Sequence, residues 1–185
     1  AENGILIRNG EILEITHTVK AAVFDKTGTV TVGKAAVTDV YADDKARLLK
    51  TAAAAEADSA HPLAQAVTAY AAENGIKVAG RAEKSEYISG KGLKCVINGE
   101  NILLGNASLL AESGADISKY RETGERLASE GKSLIYAAVN GECIGLIAIA
   151  DQVRETSKDA LARLKKLGIK TVILSGDNKA CAEYI

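Results

Sequence analysis

The stretch Ala21-Ala22-Val23-Phe24, followed directly by Asp25-Lys26-Thr27-Gly28-Thr29, decides the fold of this chain. The apolar residues predict a buried strand over 20–24, which places the carboxylate of Asp25 at the carboxyl end of that strand. In an open α/β sheet, ligands bind in the crevice beyond the strand ends, and backbone N–H groups from Lys26 to Thr29 can hold anionic oxygens there. A carboxylate at this place can accept a phosphoryl group as a nucleophile. For a shorter Asp-x-Thr-Gly pattern a polar turn would be the simpler interpretation, but the full pentapeptide is much rarer by chance.

Composition describes an ordinary globular chain. The 185 residues are 47% hydrophobic and 25% charged, with a net charge of −1, which suits one ordinary domain or two small ones. Charges of both signs are mixed and only 4% of residues are aromatic, so we expect no nucleic-acid partner. Cys95, Cys143 and Cys181 are widely spaced and favour neither a disulfide framework nor a zinc site. No apolar run approaches the roughly 20 residues that cross a bilayer.

The middle of the chain has the pattern of an antiparallel α+β block. Two Asn-Gly pairs, Asn98-Gly99 and Asn140-Gly141, predict tight hairpins between apolar strands. The segment over 5–15 has a broken pattern that predicts extended or partly helical structure. Helices are predicted over 43–57, 62–73, 107–110, 117–130 and 154–167. Strands are predicted over 20–24, 37–41, 83–89, 93–97, 101–104, 133–139, 142–149 and 169–174.

The two flanks of the chain differ from this middle block. The strand over 169–174 is almost uninterrupted in its apolar character and follows a helix, which is typical of a parallel sheet. Because the strand before Asp25 has the same character, we predict that the first and last parts of the chain build one α/β domain. The α+β block is then inserted between them, with crossings near 33–36 and 150–151 that form a hinge. The predicted domains are 1–35 and 150–185 for the α/β domain and 36–149 for the insert.

Ser175 follows its apolar strand just as Asp25 follows its own. A hydroxyl at that position can donate a hydrogen bond to a phosphoryl oxygen held by the Asp25 loop. This pairing of an Asp and a Ser on two strands resembles the haloacid dehalogenase-like phosphotransferases, which implies a Rossmannoid domain. Many soluble members carry a second Asp two residues after the nucleophile, where this chain has Thr27. Loss of that general acid and base slows hydrolysis of an aspartyl-phosphate by about 10²–10⁴-fold, which suits a pump better than a phosphatase.

The Asp25 pentapeptide also resembles the signature of the P-type ATPases, whose Asp is phosphorylated by ATP during ion transport. Asp151-Gln152-Val153-Arg154 is similar to the Asp-x-x-Arg hinge element of that family, and Ser175-Gly176-Asp177-Asn178 is similar to its Thr-Gly-Asp-Asn motif. The resemblance implies that Asp25 and Thr27 hold Mg²⁺. It implies catalytic roles for Asp25, Lys26, Thr27 and Ser175. It implies roles at the nucleotide for Asp151, Arg154, Gly176 and Asp177.

Within the inserted block, three features resemble the metal-transporting, type IB subfamily of these pumps. They are Ser59-Ala60-His61-Pro62-Leu63 with Glu56 upstream, Gly90-Lys91-Gly92, and Gly105-Asn106. In that subfamily such residues surround the adenine and ribose of ATP, which implies this role for Glu56, His61, Gly90, Gly92 and Asn106. Glycines let a ligand approach the backbone closely, and an imidazole can stack on or hydrogen-bond a base. Each feature alone also has a plainer interpretation as a helix start, a turn or an N-cap, and it is their order that favours the joint one.

The resemblance implies ATP and Mg²⁺ as cofactors, and a parent protein that drives a heavy-metal cation across a membrane. The transported cation belongs to the copper or the zinc, cadmium and lead class, and both are open. The stretch over 4–14 resembles the juxtamembrane segment of the family, so we expect a bilayer upstream of Ala1 and a cytoplasmic domain of an integral membrane protein. The expected partners are the transmembrane and actuator domains of the same parent chain.

Family members continue beyond Gly-Asp-Asn to a lysine and a Gly-Asp-Gly-x-Asn-Asp loop, which this sequence does not contain. We therefore expect a fragment with a complete nucleotide-binding domain and an incomplete phosphorylation domain, which binds nucleotide without full turnover. Two alternatives stay open at this point. One is a soluble haloacid dehalogenase-type phosphatase with an α+β cap, and the other is a noncatalytic nucleotide-sensing module.

Overall fold

The structure is a computed structural model that describes residues 6–7, 9–78 and 80–174, apart from the side chains of Leu13 and Thr27. A five-residue π-type turn, Lys26–Val30, follows the first strand. None of the described helices combines the length and the apolar character needed to cross a bilayer. The helices are α1 Gly10–Thr16, α2 Lys45–Ala55, α3 Pro62–Glu73, α4 Ala107–Glu112, α5 Ser118–Ser129 and α6 Glu155–Lys166. The strands are β1 Ala21–Asp25, β2 Thr31–Tyr41, β3 Glu83–Ile88, β4 Gly92–Ile97, β5 Glu100–Gly105, β6 Ser133–Val139, β7 Glu142–Val153 and β8 Lys170–Leu174.

The strands form two sheets. β1 and β8 pair in parallel, with Asp25 opposite Leu174. The other six strands form one sheet in the order β2-β7-β6-β5-β4-β3, in which the neighbours from β7 to β3 are antiparallel. Of the described residues, those up to Val32 and from Val153 onward form one compact unit, the flanking unit. Gly33–Gln152 forms the other, the inserted unit.

The inserted unit has a core on each face of its sheet. Because side chains alternate along a strand, neighbouring residues of one strand serve opposite cores. Ile135 and Ile147 belong to the core that contains residues of α2 and α3. Tyr136 and Leu146 belong to the core that contains residues of α4 and α5. The six-stranded sheet is therefore the middle layer between two pairs of helices.

The flanking unit contains α1, β1, the π-type turn, α6 and β8. The side chain of Asn9 caps α1 by accepting a hydrogen bond from the backbone N–H of Ile12 at 3.1 Å. The sequence of α6 predicts an apolar face, but among the described residues no side chain of this helix is buried. Leu167, which follows α6, is 74% exposed, and Val23 in β1 is also exposed.

Two strands are longer than the sequence predicts. β2 begins at Thr31 and not at Val37, and β7 continues to Val153. Both predicted crossings, 33–36 and 150–151, thus lie within extended strands. The carboxylate of Asp151 stabilises this arrangement, because its Oδ1 accepts hydrogen bonds from the backbone N–H groups of Gly33 at 3.0 Å and Lys34 at 3.1 Å.

The predicted fold class is confirmed in its main features. Asp25 ends one strand of a parallel pair, β1 and β8. The antiparallel α+β unit is formed by residues that lie between these two strands in the sequence. The domain boundaries 1–35, 36–149 and 150–185 stay a prediction.

Candidate functional site

A pocket of about 400 Å³ lies in the inserted unit. It is formed where the connection between α2 and α3 meets the ends of β3, β4 and β5. All five residues that the sequence assigns to adenine and ribose line it. The lining residues are Glu56, Ser59, His61, Leu63, Tyr87, Ile88, Ser89, Gly90, Lys91, Gly92, Leu104, Gly105, Asn106, Leu134 and Ile135.

Glu56 carries an unusual polar group in this pocket. Among the described residues, its Oε2 atom is buried and has no hydrogen-bond partner. Burial raises the pKa of the Glu56 carboxyl group, while the Ser59 hydroxyl and the nearby His61 act in the opposite direction. An unpaired buried oxygen costs free energy in the empty protein. A ligand that donates a hydrogen bond would satisfy it.

Gly92 and Gly105 are opposite each other in the β4–β5 pair, and neither position can hold a side chain. A Cβ atom on Gly92 would collide with the carbonyl oxygen of Leu104 and lie 2.5 Å from the Cα atom of Gly105. Gly90 differs, because a Cβ atom there would meet open space within 4 Å. Its φ of +70° still favours glycine. Gly92 is thus required by packing, and Gly90 by the turn.

Asn106 ties the loop of Gly90, Lys91 and Gly92 to α4. Its Nδ2 donates a hydrogen bond to the carbonyl oxygen of Gly90 at 3.0 Å, and its backbone N–H donates to the carbonyl oxygen of Lys91 at 2.8 Å. Its Oδ1 accepts from the backbone N–H of Leu109 at 3.0 Å and caps α4. The N-cap interpretation and a place in the pocket are both correct for this residue, which holds one wall of the pocket in shape.

His61, like Asn106, is both a helix N-cap and a residue of the pocket. It is the N-cap of α3, where its Nδ1 accepts a hydrogen bond from the backbone N–H of Leu63 at 3.2 Å. Since Nδ1 is an acceptor, a neutral ring carries its proton on Nε2. Pro62 occupies the first turn of the helix, as the sequence predicts. The ring is exposed and lines the pocket.

The second candidate site is the loop after Asp25. Asp25 is exposed at the end of β1, and the backbone turns there into the π-type turn. Thr31 is fully buried and closes this turn, because its Oγ1 donates to the carbonyl oxygen of Lys26 at 3.0 Å and accepts from the N–H of Gly28 at 3.2 Å. The Gly28 N–H is therefore already engaged. The Lys26 residue is 8% exposed.

Arg154 holds the same loop from the other end of the sequence. Its Nε donates to the carbonyl oxygen of Thr31 at 2.9 Å and its Nη2 to that of Gly28 at 3.2 Å. Its backbone N–H donates to the carbonyl oxygen of Val30 at 3.0 Å. The Asp25 loop is thus fixed by a residue more than 120 positions away in the chain.

The remaining assigned residues fall in different places. Asp151 and Arg154 do not line the pocket of Glu56 and His61. Asp151 accepts hydrogen bonds from backbone groups of β2, and Arg154 donates to backbone groups of the Asp25 loop and of Thr31. Ser175, Gly176 and Asp177 lie outside the described residues, as does the side chain of Thr27. Within the part of the chain that the structure describes, no group of three or more His, Cys, Asp or Glu side chains is arranged to hold a metal ion.

Sequence reasoning missed several residues of the pocket. The buried Leu104 and Ile135, together with Leu63, form its apolar floor, and the exposed Tyr87 lies at its rim. A signal for Tyr87 was present, since an aromatic residue stands three positions before Gly90 at the end of a predicted strand. A second cavity of about 620 Å³ lies along β2, α2 and α3, and no residue assigned from the sequence lines it.

Comparison with known proteins agrees with this architecture. Residues 19–185 match the haloacid dehalogenase-like hydrolase family. A probable copper-exporting P-type ATPase of Archaeoglobus fulgidus is 42% identical over 188 residues, which cover all of this chain and 23% of that protein. The chain therefore spans about a quarter of the length of this curated relative.

Solved structures give the same result. A zinc-transporting PIB-type ATPase in the E2.Pi state superposes with a TM-score of 0.87 at 33% identity, over 99% of this chain and 30% of that one. The catalytic domain of the CPx-ATPase CopB-B, studied upon nucleotide binding, gives a TM-score of 0.65 at 31% identity, over 96% of this chain and 62% of that one. The chain belongs to the haloacid dehalogenase-like hydrolase family, and over its whole length it is similar to part of copper-exporting and zinc-transporting P-type ATPases.

Proposed function

We propose that the inserted unit binds ATP in the pocket of Glu56 and His61, and that Asp25 of the flanking unit accepts the γ-phosphoryl group. The observation that carries the proposal is the convergence of Glu56, His61, Gly90, Gly92 and Asn106 on one pocket of about 400 Å³. These residues come from three separate segments of the sequence. Their meeting in one pocket is what a ligand site requires.

The chemistry of the pocket suits the base and sugar of a nucleotide. Its floor is apolar, and ligand pockets commonly combine such a floor with a few polar groups that fix orientation. The buried Oε2 of Glu56 lacks a donor among the described residues, and the exocyclic amino group of adenine is a donor. The Nε2 of His61 is left for the ligand, because Nδ1 is engaged in capping α3.

The Asp25 loop supplies the nucleophile of the proposed reaction. A carboxylate oxygen of Asp25 attacks the γ-phosphorus, the bond to the bridging oxygen of ADP breaks, and an aspartyl-phosphate and ADP result. Arg154 and Thr31 hold the backbone of the loop, so that Asp25 is presented in a fixed geometry. Lys26, Thr27 and Ser175 are proposed to complete this catalytic group, with Asp151, Gly176 and Asp177 beside it.

The residues present also fit Mg²⁺. This ion is commonly held by one or two carboxylates together with substrate phosphate oxygens and water, and not by a cage of protein ligands alone. Asp25 is an exposed carboxylate of that kind, with Thr27 proposed as the second protein ligand. When bound, Mg²⁺ would neutralise negative charge between the phosphate oxygens and Asp25.

For the whole protein we propose transport of a heavy-metal cation of the copper or the zinc, cadmium and lead class, driven by this phosphorylation. The relatives support this, since they are described as copper-exporting and zinc-transporting ATPases. The described units would then be cytoplasmic, working with the transmembrane and actuator domains of the parent. We assign residues 36–149 to a nucleotide-binding domain, and 1–35 with 150–185 to a phosphorylation domain. Thr27, in place of a second Asp, disfavours the soluble phosphatase.

Calorimetric titration of the chain with ATP tests whether this pocket binds the nucleotide. Glu56→Gln should weaken ATP binding about tenfold, because a hydrogen bond to a charged group is lost. Glu73→Gln, the same change on the exposed end of α3, is the matched control and should bind as the wild type does. Equal affinity in Glu56→Gln and the control would refute this pocket.

His61→Ala tests the same pocket from its other side and should also weaken ATP binding. Because this change removes a helix cap as well, Asp44→Ala serves as its control. Asp44 caps α2 through the N–H of Arg47 at 2.8 Å and does not line the pocket.

Phosphorylation is tested in the intact parent protein. Radiolabel from γ-labelled ATP should appear on Asp25 and should be absent from the Asp25→Asn variant. Label that persists in the variant would show that another residue is the acceptor.

A further inference from the structure

Tyr87 is an aromatic residue of the pocket to which the proposed function gives no role. It lies in β3, at the edge of the six-stranded sheet, and its side chain is 59% exposed. It lines the same pocket as Glu56 and His61. Ligand pockets are commonly lined by aromatic side chains, so an exposed ring that lines this pocket is placed where it can contact a ligand.

The strand register shows which face of the sheet carries the ring. Tyr87 is opposite Leu93, and Leu93 is opposite Leu104 in the next strand. Side chains directly opposite each other in neighbouring antiparallel strands lie on the same face. Leu93 and Leu104 are buried in the core that contains residues of α2 and α3. The side chains of Tyr87, Leu93 and Leu104 therefore form one row on this face, and Tyr87 is its outermost member, on the edge strand.

The residues around this row leave space for a flat ligand. Glu56 and His61 come from the connection between α2 and α3, which is on the same face of the sheet. Gly90 and Gly92 follow Tyr87 within five residues and carry no side chain that could cover its ring. A base that satisfies Glu56 would thus find an aromatic surface beside it and an apolar floor below.

We propose that Tyr87 is the residue on which the purine base of the nucleotide stacks, and that it favours purine over pyrimidine nucleotides. This inference rests on the proposed function of the pocket as the ATP site. Stacking depends on the ring and not on the phenolic hydroxyl. A purine offers a larger face than a pyrimidine, which gives the selectivity.

Calorimetric titration of the chain with ATP and with CTP tests the inference. Tyr87→Ala should weaken ATP binding on the order of tenfold, in line with the effect of removing a stacking ring, and should reduce the preference for ATP over CTP. Tyr87→Phe should keep both properties. Glu86→Ala is the matched control, because Glu86 is opposite Lys94 and its side chain lies on the other face of β3.

A fluorescence measurement gives an independent result. The chain contains no Trp, so Tyr87→Trp introduces a single indole at the rim of the pocket. ATP should change its emission, and tripolyphosphate, which has no base, should not. This variant also decides the question if Tyr87→Ala proves unfolded by circular dichroism.

The outcomes separate the two proposals. A wild-type chain that does not bind ATP would refute the proposed function, and this inference with it. ATP binding that is weakened by Glu56→Gln but unchanged by Tyr87→Ala would refute only the role of Tyr87. So would an indole at position 87 whose emission does not respond to ATP.

Discussion

The inserted unit buries its apolar side chains on both faces of a six-stranded sheet, whereas the flanking unit exposes several of its own. Leu146 in β7 of the inserted unit is completely buried in the core that contains residues of α4 and α5. Leu167 of the flanking unit is 74% exposed, and Val23 and Leu174 on its two strands are exposed as well. Since burial of apolar surface is the main favourable term in folding, the two units differ in how much stability their described residues provide.

This difference matters for function because the proposed chemistry is divided between the units. The pocket lies in the well-packed unit, where its walls are held by strand pairing and by the hydrogen bonds of Asn106. The proposed nucleophile Asp25 lies in the flanking unit, whose described residues form little core, and its loop depends on hydrogen bonds from Arg154 and Thr31. Packing therefore shapes the proposed binding site, and specific polar contacts hold the loop of the proposed reaction site.

The largest effect should come from removing core volume in the inserted unit. Leu146→Ala should lower the free energy of unfolding by about 3 kcal/mol, through lost apolar burial and a residual cavity. Leu167→Ala, the same change at an exposed position of the flanking unit, should alter it by less than about 0.5 kcal/mol. Urea unfolding followed by circular dichroism measures both. Similar losses in the two variants would show that the contrast between the units is wrong.

A smaller difference should separate the two glycines of the Gly90-Lys91-Gly92 loop. Gly92→Ala places a Cβ atom against the backbone of Leu104 and Gly105, at a φ of +143°, so strand pairing must give way. Gly90→Ala meets only the strain of its positive φ, about 1 kcal/mol. Gly92→Ala should therefore be less stable than Gly90→Ala by about 2 kcal/mol in thermal unfolding.

The affinity of the two glycine variants for ATP is a second measurement that distinguishes them. Gly92→Ala should lose binding together with stability, because the distorted strands form the wall of the pocket. If Gly90→Ala is instead the less stable variant, close packing of the β4–β5 pair is not what requires glycine at position 92.

Local signals in the sequence were sufficient for many elements of the fold. The predicted helix over 62–73 is α3, Pro62–Glu73, and both predicted hairpins carry an Asn with positive φ, at Asn98 and Asn140. These features depend on residues close in sequence. The full length of β2 was not predicted, because its extension to Thr31 depends on pairing with β7, more than 100 residues later.

The candidate site also contains residues that the sequence could indicate and contacts that depend on tertiary structure. Glu56, His61 and the glycines could be selected through a family resemblance, and the structure brings them to one pocket. The hydrogen bonds of Arg154 to Gly28 and Thr31 could not be predicted, because they join distant segments through tertiary structure. The place of Tyr87 also depends on register, since a shift by one residue would move its ring to the other face.

The smallest expected effect concerns Glu56, whose buried Oε2 atom has no hydrogen-bond partner among the described residues. Burial raises the pKa of Glu56 above its ordinary value of 4.5, so the folded chain holds this proton more readily than the unfolded chain does. The contribution of the carboxyl group to stability is therefore complete below that value and is lost as the pH rises through the folded pKa. Where the carboxyl group is ionised, the buried Oε2 without a hydrogen-bond partner among the described residues destabilises the fold, and Glu56→Gln removes the charge.

We expect Glu56→Gln to raise Tm at pH 7 by about 2 °C, which corresponds to relief of about 1 kcal/mol in a chain of this length. The gain should shrink as the pH falls, because the raised pKa lets the folded wild-type chain take up this proton more readily than the unfolded chain does. Glu73→Gln, at an exposed position, is the matched control and should not raise Tm. A variant that is more stable without ATP and yet binds ATP more weakly would indicate that Glu56 is kept for its ligand. A Glu56→Gln chain that melts below the wild type at pH 7 would mean that the carboxylate is satisfied inside the fold, and that the pocket does not await a donor.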